Sequence, residues 1–153
     1  MNKYIYENCF DTIDWYSVYV EEAKVEHNNL YLTFESLCLT KEHPLNPRND
    51  EWETNKVVIV FYDFEVLISG YYDCSKVQKQ VRDFDKDCDY NDVPLLGLLN
   101  DFTIVTESIK SKDEYGFKQS FEGFASPFGK EGWGYFELQY KQMKMMWDSF
   151  YIE

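Results

Sequence analysis

No apolar run in this chain of 153 residues approaches the roughly 20 residues that a membrane-spanning helix needs. Basic residues are scarce: 15 Lys and Arg stand against 28 Asp and Glu, a net charge of −13. Like charge repels phosphate, which sets the chain against nucleic acid and anionic membranes as partners. Gly-x-Ser-x-Gly, His-Glu-x-x-His and phosphate-cradling glycine loops are all missing, so the expectation is no enzyme and no cofactor. Repeats and low-complexity linkers are also absent. The first seven residues lack a continuous apolar stretch and meet an acid at Glu7, unlike a secretory signal, and a cytoplasmic protein is expected.

Cysteine and histidine are few. Cys9, Cys38, Cys74 and Cys88 include no Cys-x-x-Cys pair, and by count they allow two disulfides. Free thiols in a reducing cytosol are expected, because a domain of this size needs no staples, and zinc is not expected without paired ligand spacing. His27 and His43 are the two histidines. A dyad of Cys38 with His43 fits the distance along the chain, but nothing else supports it.

What the chain has in quantity is aromatic side chains, 19% of residues within a hydrophobic total of 44%. That is enough to build a core, and residues 1–153 are expected to form one domain. Residues 15–40 read as a hairpin. A two-residue turn at Asn28-Asn29 sets Val25 opposite Leu32, Ala23 opposite Phe34 and Val20 opposite Leu37, with one mismatch, Glu22 facing Glu35. Residues 41–54, with Pro44 and Pro47, read as a loop. The run from Val57 to Tyr62 reads as a central strand buried on both faces, and Val66, Leu67 and Ile68 continue as a second strand or, past a bulge, the same one. Ser75 is placed to cap a short helix carrying Val77 and Val81, and the leucines from Leu95 to Leu99 suit another short helix. Phe102 to Thr106 is strand-like.

The C-terminus fits two periods. Phe136, Tyr140, Met143, Trp147 and Phe150 form a helical stripe, while Phe136, Leu138, Tyr140 and then Met143, Met145, Trp147 alternate as strands. The glycines Gly132 and Gly134 among aromatics favour strands, either as a hairpin turning at Lys141-Gln142 or, since those are poor turn residues, as one long bulged strand. The expected fold is therefore mainly β, a curved antiparallel sheet or sandwich with one or two short helices.

Three features invite a functional reading. The acidic segment Asp83, Asp85, Asp87, Asp89 and Asp92 resembles a calcium loop at first, but an EF-hand frame would put Tyr90 or Cys88 where glycine is required, so no metal is expected. A solvated acidic loop that attracts a basic protein remains. Trp52 sits in a polar loop as either a lid or an exposed anchor. The glycine–aromatic stretch from Tyr115 to Phe136, with Trp133, reads either as a recognition surface or, preferably, as a bent strand roofing the core.

The segments Glu131-Gly132-Trp133-Gly134-Tyr135-Phe136-Glu137 and Met146-Trp147-Asp148, together with size, acidity and aromatic richness, resemble the small immunity proteins of bacterial polymorphic-toxin systems. The resemblance is one of overall character. It implies a cytosolic, non-catalytic protein that binds a basic toxin, with Trp52, Trp133 and the five aspartates as candidate partner-binding residues. The alternative is a carbohydrate-binding or carbohydrate-active protein using aromatic platforms and carboxylates.

Overall fold

The computed structural model describes residues 3–8, 10–78, 80–81 and 83–152. In chain order the strands are β1 (Tyr4–Glu7), β2 (Ile13–Asp14), β3 (Val18–Val20), β4 (Glu22–Glu26), β5 (Asn29–Phe34), β6 (Cys38–Leu39), β7 (Trp52–Glu53), β8 (Val57–Tyr62) and β9 (Glu65–Asp73). After these come α1 (Phe84–Asp87), β10 (Asp89–Asp92), α2 (Leu95–Leu99), β11 (Phe102–Asp113), β12 (Gly116–Ala125), β13 (Gly132–Tyr140) and β14 (Gln142–Trp147). The described strands form a five-stranded sheet in the order β1-β14-β8-β5-β4 and a six-stranded sheet in the order β10-β9-β13-β12-β11-β3. A small third sheet runs β2-β6-β7. All pairings are antiparallel. The expected β-rich sandwich with two short helices is what the chain builds.

The core lies between the two large sheets. Phe61 of β8 meets Phe121 and Tyr140 edge-on, with ring centroids 6.3 and 4.8 Å apart. Trp15 packs against Phe34 on one sheet and Phe121 on the other. Phe121 stacks on Phe136. Each such fully buried side chain contributes about 1.5–3 kcal/mol through removal of apolar surface from water. Gly134 belongs to this packing: a β-carbon there would meet the Phe102 ring and Ala125 Cβ, so only glycine lets β13 lie this close to them.

Strict alternation makes the C-terminus two strands. In β13 and β14 every second residue is buried, ending on Tyr140 and restarting at Met143, Met145 and Trp147. The expected hairpin is corrected. β13 pairs with β12 and β9, whereas β14 pairs with β1 and β8, so the chain crosses from one sheet to the other at Lys141. The Lys141 N–H donates to the Tyr62 carbonyl at 3.0 Å, which anchors the corner. Both strands then face the same core, the buried set shifting from even to odd positions across the corner.

The N-terminal hairpin also differs in detail. The turn is His27-Asn28, both left-handed (φ 51° and 63°), and Val25 pairs with Leu30. Glu22 then faces Thr33 rather than Glu35, which removes the like-charge pair. Val18 and Val20 leave the hairpin altogether and pair with Ile104 and Phe102 of the other sheet. The run from Val57 to Tyr62 is the expected central strand, and residues 75–76 form a turn rather than a capped helix.

Free thiols are corrected at two of the four cysteines. β9 ends at Asp73 and β10 starts at Asp89, and these two residues are register partners. Their outer neighbours, Cys74 and Cys88, therefore lie opposite each other and form a disulfide, with Cα atoms 4.7 Å apart. Cys38 is free, and Cys9 lies outside the described residues.

Candidate functional site

The outward face of the six-stranded sheet carries an ordered aromatic row. Strand register sets Tyr90 beside Tyr72, Tyr72 beside Trp133, Trp133 beside Phe124, and Phe124 beside Thr103. Four aromatic side chains thus cross four neighbouring strands on a surface where polar residues are the norm. The adjoining row runs Asp92, Gly70, Tyr135, Glu122 and Thr106. Gly70 has a function here. The Tyr90 ring lies over the space its side chain would fill, so the ring rests directly on the backbone of β9.

Helix α1 stands over this face. Asp83 caps it by accepting the Asp85 N–H at 3.0 Å, and the Cys74–Cys88 bond holds its C-terminal end against β9. Phe84 is brought down onto Trp133, centroids 5.2 Å apart and planes 15° from parallel, and beside Tyr72 at 5.8 Å. Phe124 meets Trp133 edge-on from the other side.

The result is a groove of about 600 Å³. Tyr72, Trp133, Tyr135 and Ile68 come from the sheet, Asp83, Phe84 and Asp85 from the α1 segment, with Tyr90 at the sheet edge and Glu122 from β12. The aromatic donors are tied to carboxylates. Tyr72 hydroxyl donates to Asp85 Oδ1 at 2.7 Å, Tyr90 hydroxyl to Asp92 Oδ1 at 3.0 Å, and the Trp133 indole N–H to Glu122 Oε2 at 3.2 Å. The hydrogen bond to Asp85 pushes the Tyr72 phenol up to about 12, helped by desolvation and by the neighbouring charges. Desolvation and Asp92 raise Tyr90 likewise. Among the described residues, neither Asp85 nor Glu122 pairs with a lysine or arginine, and Asp83 has only the exposed Lys86 at 3.9 Å.

Of the residues singled out from sequence, Asp83, Asp85 and Trp133 meet in this groove, and Asp92 holds its edge through Tyr90. Asp87 and Asp89 instead line a separate depression with Asp73 and Lys76. The segment expected to be an acidic loop is a short helix followed by an edge strand. Trp52 is remote from the groove and forms a half-buried lid. It stacks on Phe150 at 4.1 Å, carries the Arg48 guanidinium on its ring, and donates its indole N–H to the Tyr151 carbonyl. Within the glycine–aromatic stretch, Phe117, Phe121 and Phe136 point into the core, while Phe124 and Trp133 line the outer face. Sequence reasoning overlooked Tyr72, Phe84, Tyr90, Glu122 and Tyr135. The alternation of Glu122 with Phe124 and of Trp133 with Tyr135 was the available signal.

Cys38 and His43 are engaged separately. The Cys38 thiol donates to Glu51 at 3.5 Å, and burial with that carboxylate pushes it up to about 11. His43 is buried between Tyr6 and Trp147, accepts the Leu45 N–H on Nδ1, and is lowered to about 4 by burial.

Comparison of the chain with family models, with curated proteins and with solved structures yields no match in any of the three.

Proposed function

We propose that this chain is a non-catalytic, acidic protein-binding module that docks a basic protein, in the manner of an immunity protein neutralising a toxin. One observation carries the reading: an exposed aromatic row fixed in place by carboxylates that no basic side chain of the described residues neutralises. Aromatic anchors in a partly desolvated surface are the usual source of binding energy at protein interfaces. The surrounding negative charge speeds the encounter with a basic partner and rejects acidic ones. The test is genetic and biochemical together. The gene beside this one is expressed with and without this chain. A basic, growth-arresting product that this chain binds and neutralises supports the reading, and an adjacent sugar-utilisation operon turns it toward the second.

That second reading is carbohydrate binding, favoured by the aromatic floor of the groove next to carboxylates. Titration with neutral oligosaccharides tests it directly.

The proposed location is the cytoplasm. No helix among the described residues is long and apolar enough to cross a membrane. The Cys74–Cys88 bond weighs against a reducing compartment, because disulfides persist mainly in oxidising ones. Trapping the thiols at the moment of lysis distinguishes the two.

A further inference from the structure

We propose that the groove between α1 and the six-stranded sheet is a guanidinium pocket that receives an arginine side chain of the basic partner. The inference rests on the binding-module reading above and names what its central contact is made with.

Asp83, Asp85 and Glu122 bring carboxylates, which only accept while ionised. Among the described residues, the donors around them are engaged: Tyr72 on Asp85, Tyr90 on Asp92, Trp133 on Glu122 and Lys86 on Asp83. Tyr135 is, among the described residues, the lining phenol without such a carboxylate partner. A sugar hydroxyl both donates and accepts, so a neutral sugar would leave acceptors unmatched in such a site. A guanidinium has five donors and no acceptor, and it complements the site.

Shape and charge agree. Asp85 and Glu122 each engage one oxygen with an aromatic partner, and a carboxylate offers about four lone-pair positions in all. The aromatic lining from Tyr72 and Tyr135 suits a planar cation, which stacks on aromatic faces as a compact ammonium does not. The aromatic groups are also preorganised. Trp133 is held by Glu122, by Phe84 on one side and by Phe124 on the other, so little ordering is required on binding. The raised phenol of Tyr72 is consistent with a local field that favours positive charge.

The experiment uses the full chain at low salt with three probes: an acetylated tetra-arginine amide, the tetra-lysine equivalent, and a neutral cello-oligosaccharide. The Trp133 indole N–H, assigned by W133F, is followed by NMR. Tetra-arginine is expected to shift that signal, to bind severalfold more tightly than tetra-lysine, and to lose at least tenfold in affinity to the double variant D85N/E122Q. The variant E22Q/E26Q, with the same change in charge on the other sheet, should stay within twofold of the parent. The near-isosteric replacements in D85N/E122Q keep the acceptors for Tyr72 and Trp133, and an unchanged melting temperature confirms the fold. Tetra-arginine binding that is equal in both double variants, or that maps elsewhere, overturns the pocket and leaves the binding-module reading standing. Shifts of Trp133 with the oligosaccharide but not with tetra-arginine overturn both.

Discussion

The Tyr72 hydroxyl donates to the Asp85 carboxylate at 2.7 Å, and this bond joins the sheet to the helix above it. One side chain comes from the strand next to the edge of the six-stranded sheet and the other from a four-residue helix too short to be stable alone. The contact also has a titration signature. The neighbouring carboxylate disfavours the phenolate, so Tyr72 should ionise near 12, above its ordinary 10. A folded-state value raised in this way leaves its stabilisation intact below pH 10 and removes it as the pH rises toward 12. Ultraviolet titration of D85A should show one tyrosine moving down toward 10; a spectrum identical to the parent's would show that the bond does not form in solution.

The disulfide should matter to stability and groove alike. Cys74 and Cys88 close a loop of 14 residues' separation that contains all of α1. Closing a loop of about 15 residues is worth ~3 kcal/mol on the chain-entropy account. C74S, C88S or reduction should therefore lower the unfolding free energy by about that amount. Each should also quench the near-ultraviolet signal of the Phe84–Trp133 stack. Denaturant curves with and without reductant check this, and coincident curves would contradict it.

His43 supplies a pH dependence of opposite character. Its imidazole is buried and held neutral, lowered to about 4 from an ordinary 6.5. The unfolded chain binds this proton first as the pH falls. Stability from this group is complete above 6.5 and declines between 6.5 and 4, by about 1.4 kcal/mol per pH unit where the difference is full. An imidazole titration by NMR should find His43 still neutral at pH 5.5. A His43 imidazole that titrates at its ordinary 6.5 would refute its burial.

The two faces of β12 should respond differently to truncation. Phe121 is fully buried against Trp15, Phe61 and Phe136, and F121A should cost about 3–5 kcal/mol. Phe124, three residues on, is half exposed beside Trp133, and F124A should cost about 1 kcal/mol or less. Equal losses in thermal or chemical unfolding would mean that the outer face is structural.

The sandwich was legible because its strands alternate strongly: Phe136, Leu138 and Tyr140, then Met143, Met145 and Trp147, carry a period of two on either side of the corner at Lys141. The sheet to which each strand belongs was not legible, because a strand that switches sheets keeps the same inward parity as one that folds back on itself. The hairpin turn was misplaced by one residue since Asn28-Asn29 and His27-Asn28 both suit left-handed turns, although the Glu22–Glu35 mismatch pointed to the error. The acids and Trp133 of the groove stood out as residue types. Their convergence did not, because it depends on the pairing of Tyr72 with Tyr90 and with Trp133, the latter distant in sequence. The disulfide is hidden for the same reason: it follows from the register of Asp73 with Asp89.

The central claim is that this face binds a basic protein, and Trp133 tests it most directly. The measurement is the association and dissociation kinetics of W133A with the basic product of the adjacent gene. A central aromatic anchor is worth about 2 kcal/mol or more, so dissociation should accelerate roughly 30-fold while the association rate stays near that of the parent. Dissociation unchanged from the parent would contradict the account.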